Sequence, residues 1–142
     1  MQLVMFSQNI LRNNYYMNTY STNYISRDEL KEVENFADKL FEGLGIDIAF
    51  TNHFYERLND PRNGKQITET ELSDMFRDMF LKFGDNLSEM KIDTEAVIND
   101  ISSNLNIPFV LVYDKRNNEV DLVSKTIMRK HDFKTYTKKF KI

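Results

Sequence analysis

The sequence predicts an α+β fold, in which helices pack on one face of a small antiparallel β-sheet and an irregular N-terminal arm precedes them. Two amphipathic segments that open with capping boxes predict the helices. A β-branched and aromatic run, followed by turn residues and a second apolar run, predicts a hairpin. A length of 142 residues, with 41% hydrophobic and 29% charged residues, is typical of one globular domain.

The arm is predicted over residues 1–25, where asparagine and tyrosine recur with almost no charge and no helical or strand period appears. Asparagine side chains compete with helix formation by bonding to the nearby backbone. We therefore predict an arm that is either extended or ordered by docking on a partner. The domain is predicted over residues 26–130, and a basic tail over residues 131–142.

Two long helices are predicted from their first residues. Ser26-Arg-Asp-Glu29 and Thr68-Glu-Thr-Glu71 each place a hydroxyl and a carboxylate where they satisfy the free amides of a helix start. Apolar residues then follow at helical spacing. We expect the first helix to end at Gly43 and Gly45, and the second at Gly84.

Shorter elements are predicted between and after these helices. Residues 46–50 alternate in polarity and predict a strand, and Thr51 is a suitable cap for a short helix over residues 52–59. A further helix is predicted over residues 94–104. Residues 109–113 and 120–128 then predict the two antiparallel strands of the hairpin.

The composition excludes several classes of protein. With no cysteine, the chain has neither a disulfide framework nor a thiolate metal site, and no nucleotide-binding glycine motif is present. We expect no metal and no cofactor. No apolar run approaches the roughly 20 residues of a membrane span, and the N-terminus lacks the basic region of a signal peptide. A soluble intracellular protein without a membrane partner is expected.

The charge is distributed unevenly along the chain. Residues 125–142 carry seven Lys or Arg against Asp132 alone, a sum of +6, whereas the whole chain has a net charge of −3. An acidic body with a basic end is typical of proteins that contact polyanions or an acidic partner. The alternative is a solvated terminus without a partner.

One group of polar residues could carry chemistry. Imidazole moves protons near neutral pH, and guanidinium binds phosphate through a bidentate fork. His53 and Arg57 are four residues apart and share a helix face, while Lys125 and Thr126 face opposite sides of the predicted strand. A solvated helix face, with Arg57 paired to Glu56 or Asp60, is the alternative. The candidate catalytic residues are His53, Arg57, Arg62 and Thr126; the candidate substrate-binding residues are Lys125, Arg129 and Lys130, with His131 expected to be exposed.

The order of these elements resembles the phage-associated branch of the barnase–EndoU–colicin–RelE nuclease-like superfamily over roughly residues 27–129. The resemblance implies metal-independent RNA cleavage, with His53, Arg57, Arg62 and Thr126 at the recurring polar positions. Three longer stretches look like small proteins of T4-like tailed phages of marine bacteria: Thr-x-His-Phe-x-x-Arg-x-Asn-Asp, Asn-Ile-Pro-Phe-Val-Leu and Lys-Thr-Ile-Met-Arg-Lys-x-Asp-Phe-Lys-Thr. This second likeness implies a phage origin without defining an activity, and the Asn/Tyr-rich arm departs from it.

Three hypotheses follow, and the sequence leaves open whether the chain is an enzyme. The first is a nuclease-like protein that cleaves or binds RNA, with His53 as general base or acid and Arg57, Arg62 and Lys125 as phosphate clamps. The second is a structural or host-interaction protein of the phage that docks through its arm and basic tail. The third is an inhibitor whose acidic surface mimics nucleic acid. The resemblance implies the cytoplasm of an infected host, with virion association as an alternative.

Overall fold

The computed structural model describes residues 24–142, and the predicted arm, apart from Tyr24 and Ile25, lies outside them. Within this range the chain has three α-helices and a six-stranded sheet, which confirms the α+β class. The helices are α1 (Arg27–Phe41), α2 (Asn52–Leu58) and α3 (Glu69–Glu89). The strands are β1 (Ile46–Phe50), β2 (Glu95–Asp100), β3 (Leu105–Asp114), β4 (Glu119–Ser124), β5 (Met128–Arg129) and β6 (Lys138–Lys141).

The sheet is mixed rather than antiparallel as predicted. Its order is β1-β4-β3-β2-β6, and β5 pairs with the start of β3. The central strands β2, β3 and β4 are antiparallel neighbours, whereas β1 runs parallel to β4 and β6 runs parallel to β2. The two parallel pairs join strands that are distant in sequence. No hairpin turn connects such strands, so the sequence has no local signal that predicts their pairing. α1 contacts β1 and α3 contacts β2; packing of the helices on one face stays a prediction.

Both predicted capping boxes are present. The Ser26 hydroxyl accepts from the Glu29 amide at 3.1 Å, and the Glu29 carboxylate accepts from the Ser26 amide at 2.8 Å. Thr68 and Glu71 make the same reciprocal pair.

The predicted stop at Gly84 is wrong, because α3 continues to Glu89. Gly84 is buried, and an added Cβ there would lie 3.4 Å from Leu44 Cδ1, so it serves close packing between α3 and the turn after α1.

The helix predicted over residues 94–104 is also wrong, because Glu95–Asp100 forms β2. Ala96, Val97 and Ile98 are all buried, so this strand is covered on both sides. A strand buried on both faces has a continuous apolar run, which periodicity alone does not separate from a buried helix. The pairing of β2 with β3 and β6 decides in favour of the strand.

The C-terminal third also departs from the prediction. β4 ends at Ser124, so Lys125 and Thr126 lie beyond the strand rather than on it. Residues 131–142 are not simply a tail, because Lys138–Lys141 forms the edge strand β6 and Phe140 is 2% exposed in the core. Burial of that phenylalanine contributes about 2 kcal/mol to holding the edge strand, in addition to its pairing with β2. No helix within residues 24–142 is long and apolar enough to cross a membrane.

One partly buried carboxylate makes the stability depend on pH. Asp38 on α1 accepts from the amide of Ile48, on the edge strand β1, at 2.7 Å. Burial raises the pKa of Asp38 to about 7, from an ordinary value of 3.8; the Ile48 amide opposes this rise, and the Asp47 and Glu34 carboxylates add to it. The folded state therefore holds this proton more tightly than the unfolded chain does. The contribution of Asp38 to the free energy of unfolding is therefore fully present below pH 3.8 and is lost as the pH rises through about 7.

We expect Asp38→Asn to remove this dependence, because an amide oxygen still accepts from Ile48 and carries no charge to desolvate. Between pH 5 and pH 8, wild type should lose on the order of 1 kcal/mol of unfolding free energy from this group, a modest loss because water partly screens Asp38. Urea unfolding at both pH values measures it. A variant with the same pH dependence as wild type would contradict the assignment to Asp38.

Candidate functional site

The start of α2 lies beside the end of β4, which brings the predicted segments together. The Thr51 hydroxyl caps α2 by accepting from the Phe54 amide at 2.9 Å. The same hydroxyl donates to the carbonyl of Lys125 at 2.9 Å, and the Thr51 amide donates to the carbonyl of Ser124 at 3.3 Å. One N-cap residue therefore joins the helix that carries His53 and Arg57 to the segment that carries Lys125 and Thr126.

A cleft of about 390 Å³ opens between the end of α2 and the segment around β5. We call it the arginine cleft. Its polar centre is Asp60, whose carboxylate accepts from Arg62 at 2.9 and 3.1 Å and lies 3.7 Å from the Arg57 guanidinium. These bonds use two of the five N–H groups of Arg62, so Asp60 orients the guanidinium and leaves donors for an anion. The lining residues are Arg57, Asp60, Arg62, Asn63, Ile127, Met128, Arg129 and Lys130.

Asn63 holds the two walls of the arginine cleft together. Its side-chain amide donates to the carbonyl of Arg57 at 2.7 Å, and its side-chain oxygen accepts from the backbone amide of Arg129 at 3.1 Å. The residue is buried within a 3-10 turn, Pro61–Asn63, that Asp60 caps. One asparagine side chain thus links the backbone at the end of α2 to the backbone of β5.

Not every candidate residue lines this cleft. His53 is exposed on α2 and lines neither the arginine cleft nor the pocket described below. The Lys125 ammonium lies 3.4 Å from the carboxylate of Glu95 on β2 and does not line the arginine cleft. Thr126 is half-buried and is also outside the lining. The structure therefore brings together Arg57, Arg62, Arg129 and Lys130, but not the histidine expected to move a proton.

Arg129 lines the arginine cleft but is fully engaged within the chain. Its guanidinium forms a bidentate pair with Glu71 at 2.9 and 3.1 Å and donates to the carbonyls of Lys65, Gln66 and Ser103. These contacts use all five N–H donors. Burial alone would raise the pKa of Glu71, but the bonds from Arg129 and from the Thr68 amide outweigh it and lower the pKa. The arginine therefore joins β5 to the start of α3 and has no donor left for the phosphate contact predicted from the sequence.

A second cleft, which we call the lysine pocket, lies beside the first and encloses about 190 Å³. Lys139 and Lys141 of β6 line it, and the His131 ring lies there with Nδ1 3.3 Å from the amide oxygen of Asn104. Sequence reasoning missed these two lysines. The alternation Lys139-Phe140-Lys141 could have indicated a strand with both lysines on one face. The lining residues are Asn99, Ile101, Asn104, Lys130, His131, Asp132, Phe133, Lys139 and Lys141.

Lys130 lines both clefts, and together they form what we call the basic band. With the internally paired Arg129 set aside, the band holds five permanent cations against the carboxylates of Asp60 and Asp132. Its net charge of about +3 contrasts with −3 for the whole chain. The five cations are Arg57, Arg62, Lys130, Lys139 and Lys141.

Carboxylates gather elsewhere on the sheet. Asp47 of β1 pairs in register with Asp121 of β4, and their oxygens and one of Glu119 lie within 4.8 Å of one another. Burial raises the pKa of Asp121, and the nearby Asp114, Asp47 and Glu119 raise it further. Among the described residues this is the group with the donor set for a hard cation such as Mg²⁺ or Ca²⁺. It also gives the sheet an acidic region distinct from the basic band.

No protein-family model matches this chain, and no curated protein or solved structure shows significant similarity to it.

Proposed function

We propose that this protein binds single-stranded RNA along the basic band. The observation that carries the proposal is the charge segregation: two clefts that share Lys130 collect five permanent cations in a chain of net charge −3. Nucleic-acid affinity comes largely from neutralising phosphates with Lys and Arg. The proposal is one of binding, since His53 lies outside both clefts.

The dimensions of the band support a single strand. The two clefts, of about 390 and 190 Å³, adjoin at Lys130, so their cations can contact successive phosphates of one strand. Tyr136 adds a second feature, because its ring is fully exposed between Lys134 and Lys138 on the loop that leads from the lysine pocket to β6. A base stacked on an exposed aromatic ring contributes about 1–3 kcal/mol without requiring a particular sequence.

The arginine cleft provides the test. We expect Arg57→Gln combined with Arg62→Gln to weaken binding of a 12-nucleotide RNA about tenfold at 0.1 M salt, because two phosphate contacts are lost. Fluorescence anisotropy measures the dissociation constants. Stability should hardly change, since both arginines are paired with Asp60 at the surface.

A charge-matched control separates a site from general attraction. Lys115 and Arg116 are exposed in the β3–β4 turn, away from the basic band, so Lys115→Gln with Arg116→Gln removes the same charge. This control should bind within about twofold of wild type at 0.1 M salt, where screening extends over about 10 Å. Equal losses in the two double variants would refute a site in the arginine cleft.

A further inference from the structure

The lysine pocket differs from the arginine cleft in how its cations are arranged. Lys139 and Lys141 flank the buried Phe140 on β6, so both side chains leave the strand on the side opposite to Phe140. Lys130 and His131 approach from the segment that follows β5. Cations therefore surround the pocket from two separate parts of the chain rather than lying along one open surface.

Its size selects for a compact ligand. About 190 Å³ is below the usual 300–1,000 Å³ of sites that hold drug-sized molecules. This volume is suited to a single phosphate group.

The charge of the pocket fits the same group. Three lysines face one carboxylate, Asp132, which also lies 3.7 Å from the exposed Lys134. Lys139 donates one of its three N–H groups to the carbonyl of Phe133, which positions the ammonium and leaves two donors. A monoester carries about −1.5 to −2 at pH 7 and offers three acceptor oxygens, more than a diester does.

A buried pair of asparagines holds the walls of the lysine pocket in place before any ligand binds. Asn99 and Asn106 are register partners, and the Asn99 amide donates to the Asn106 oxygen at 2.7 Å. The Asn106 amide donates to the carbonyls of Asn104 and Lys130, each at 3.1 Å. Since Asn104 also contacts the His131 ring, one network holds both walls. Rigid placement of the donors lowers the entropic cost of binding.

We propose that the lysine pocket binds the terminal phosphate monoester of an RNA strand. The inference rests on the proposed function, because it adds an end-specific contact to the strand that follows the basic band. Lys130, which lines both clefts, places the terminal phosphate next to the phosphates bound by Arg57 and Arg62.

One RNA sequence with three kinds of end tests this proposal: hydroxyl at both ends, a 5′-phosphate, or a 3′-phosphate. We expect one phosphorylated form to bind about tenfold more tightly than the hydroxyl form, and the favoured end identifies the source of the monoester. Lys141→Gln should reduce this ratio to about twofold or less, because it weakens the binding of the phosphorylated form more than that of hydroxyl-ended RNA, from which it removes one cation of the basic band. Lys138→Gln is the matched control, because Lys138 is an exposed lysine of the same strand on the opposite side, 5.5 Å from the Phe140 ring.

The outcomes separate this inference from the proposed function. Equal binding of all three RNAs, or a phosphate preference that survives Lys141→Gln, overturns the lysine pocket while RNA binding stands. NMR shifts of the Lys139–Lys141 amides on addition of inorganic phosphate, but not of sodium chloride at equal ionic strength, support the pocket even when hydroxyl-ended RNA fails to bind. If no RNA binds and inorganic phosphate causes no NMR shifts, both the lysine pocket and RNA binding are overturned.

Discussion

Replacing Asn106 with alanine is expected to lower the free energy of unfolding by about 3 kcal/mol, because several buried polar groups lose their partner at once. Asn106 is fully buried. It accepts from Asn99 and donates to the carbonyls of Asn104 and Lys130, with a longer contact at 3.4 Å to the carbonyl of Met128. The truncation also leaves a cavity between β2, β3 and β5, which adds to the cost.

Urea unfolding with Asn86→Ala as the control measures this effect. Asn86 is exposed on α3, where alanine favours the helix, so its replacement should change stability by less than about 0.5 kcal/mol. Asn106→Ala should also weaken the preference for phosphorylated RNA, since the walls of the lysine pocket lose their common support. A stability loss below about 1 kcal/mol would show that the network does not hold this part of the fold.

Arg129→Lys is expected to cost about 3 kcal/mol, although the charge is kept. Lysine provides three donors from one point and cannot reproduce the planar fork that binds Glu71 and three carbonyls. The Arg129 side chain is 12% exposed, so the contacts it loses are poorly replaced by water. Arg77→Lys is the matched control, because Arg77 pairs with Asp74 and Asp78 at the surface of α3, and it should change stability by less than about 0.5 kcal/mol.

The pH dependence of this pair has the opposite sign to that of Asp38. Because the pKa of Glu71 is lowered, its contribution is complete above the ordinary value of 4.5 and is lost as the pH falls through the lowered value. The difference in stability between wild type and Arg129→Lys should therefore shrink in acid. A difference that stays constant from pH 7 to pH 3 would show that the lost contacts to carbonyls, rather than the ion pair with Glu71, dominate.

The local parts of the fold could be predicted from the sequence, because their causes lie within a few residues. The capping boxes at Ser26 and Thr68 and the cap at Thr51 are such cases, and all three are present. β2 and β6 could not be predicted in the same way. β6 depends on β2, a partner strand distant in sequence. β2 pairs with the neighbouring β3 but is buried on both sides, so its own pattern does not distinguish strand from helix.

The candidate site shows the same division. Arg57, Arg62 and Lys130 were identified by residue type and do line the arginine cleft. Arg129 also lines it, but it pairs with Glu71, which is 58 positions away in the sequence, and therefore has a structural role. Lys139 and Lys141 became site residues only because β6 joins the sheet. The phage origin inferred from the three sequence stretches stays a prediction.

The salt dependence of RNA binding is the most direct measure of phosphate contacts along the basic band. The logarithm of the association constant should fall linearly with the logarithm of the salt concentration, with a slope of about −0.7 for each phosphate neutralised on a single strand. We predict a slope shallower by about 1.4 for Arg57→Gln/Arg62→Gln than for wild type, and an unchanged slope for Lys115→Gln/Arg116→Gln. A wild-type slope near zero, or equal slopes for wild type and the arginine-cleft variant, would contradict RNA binding along the basic band.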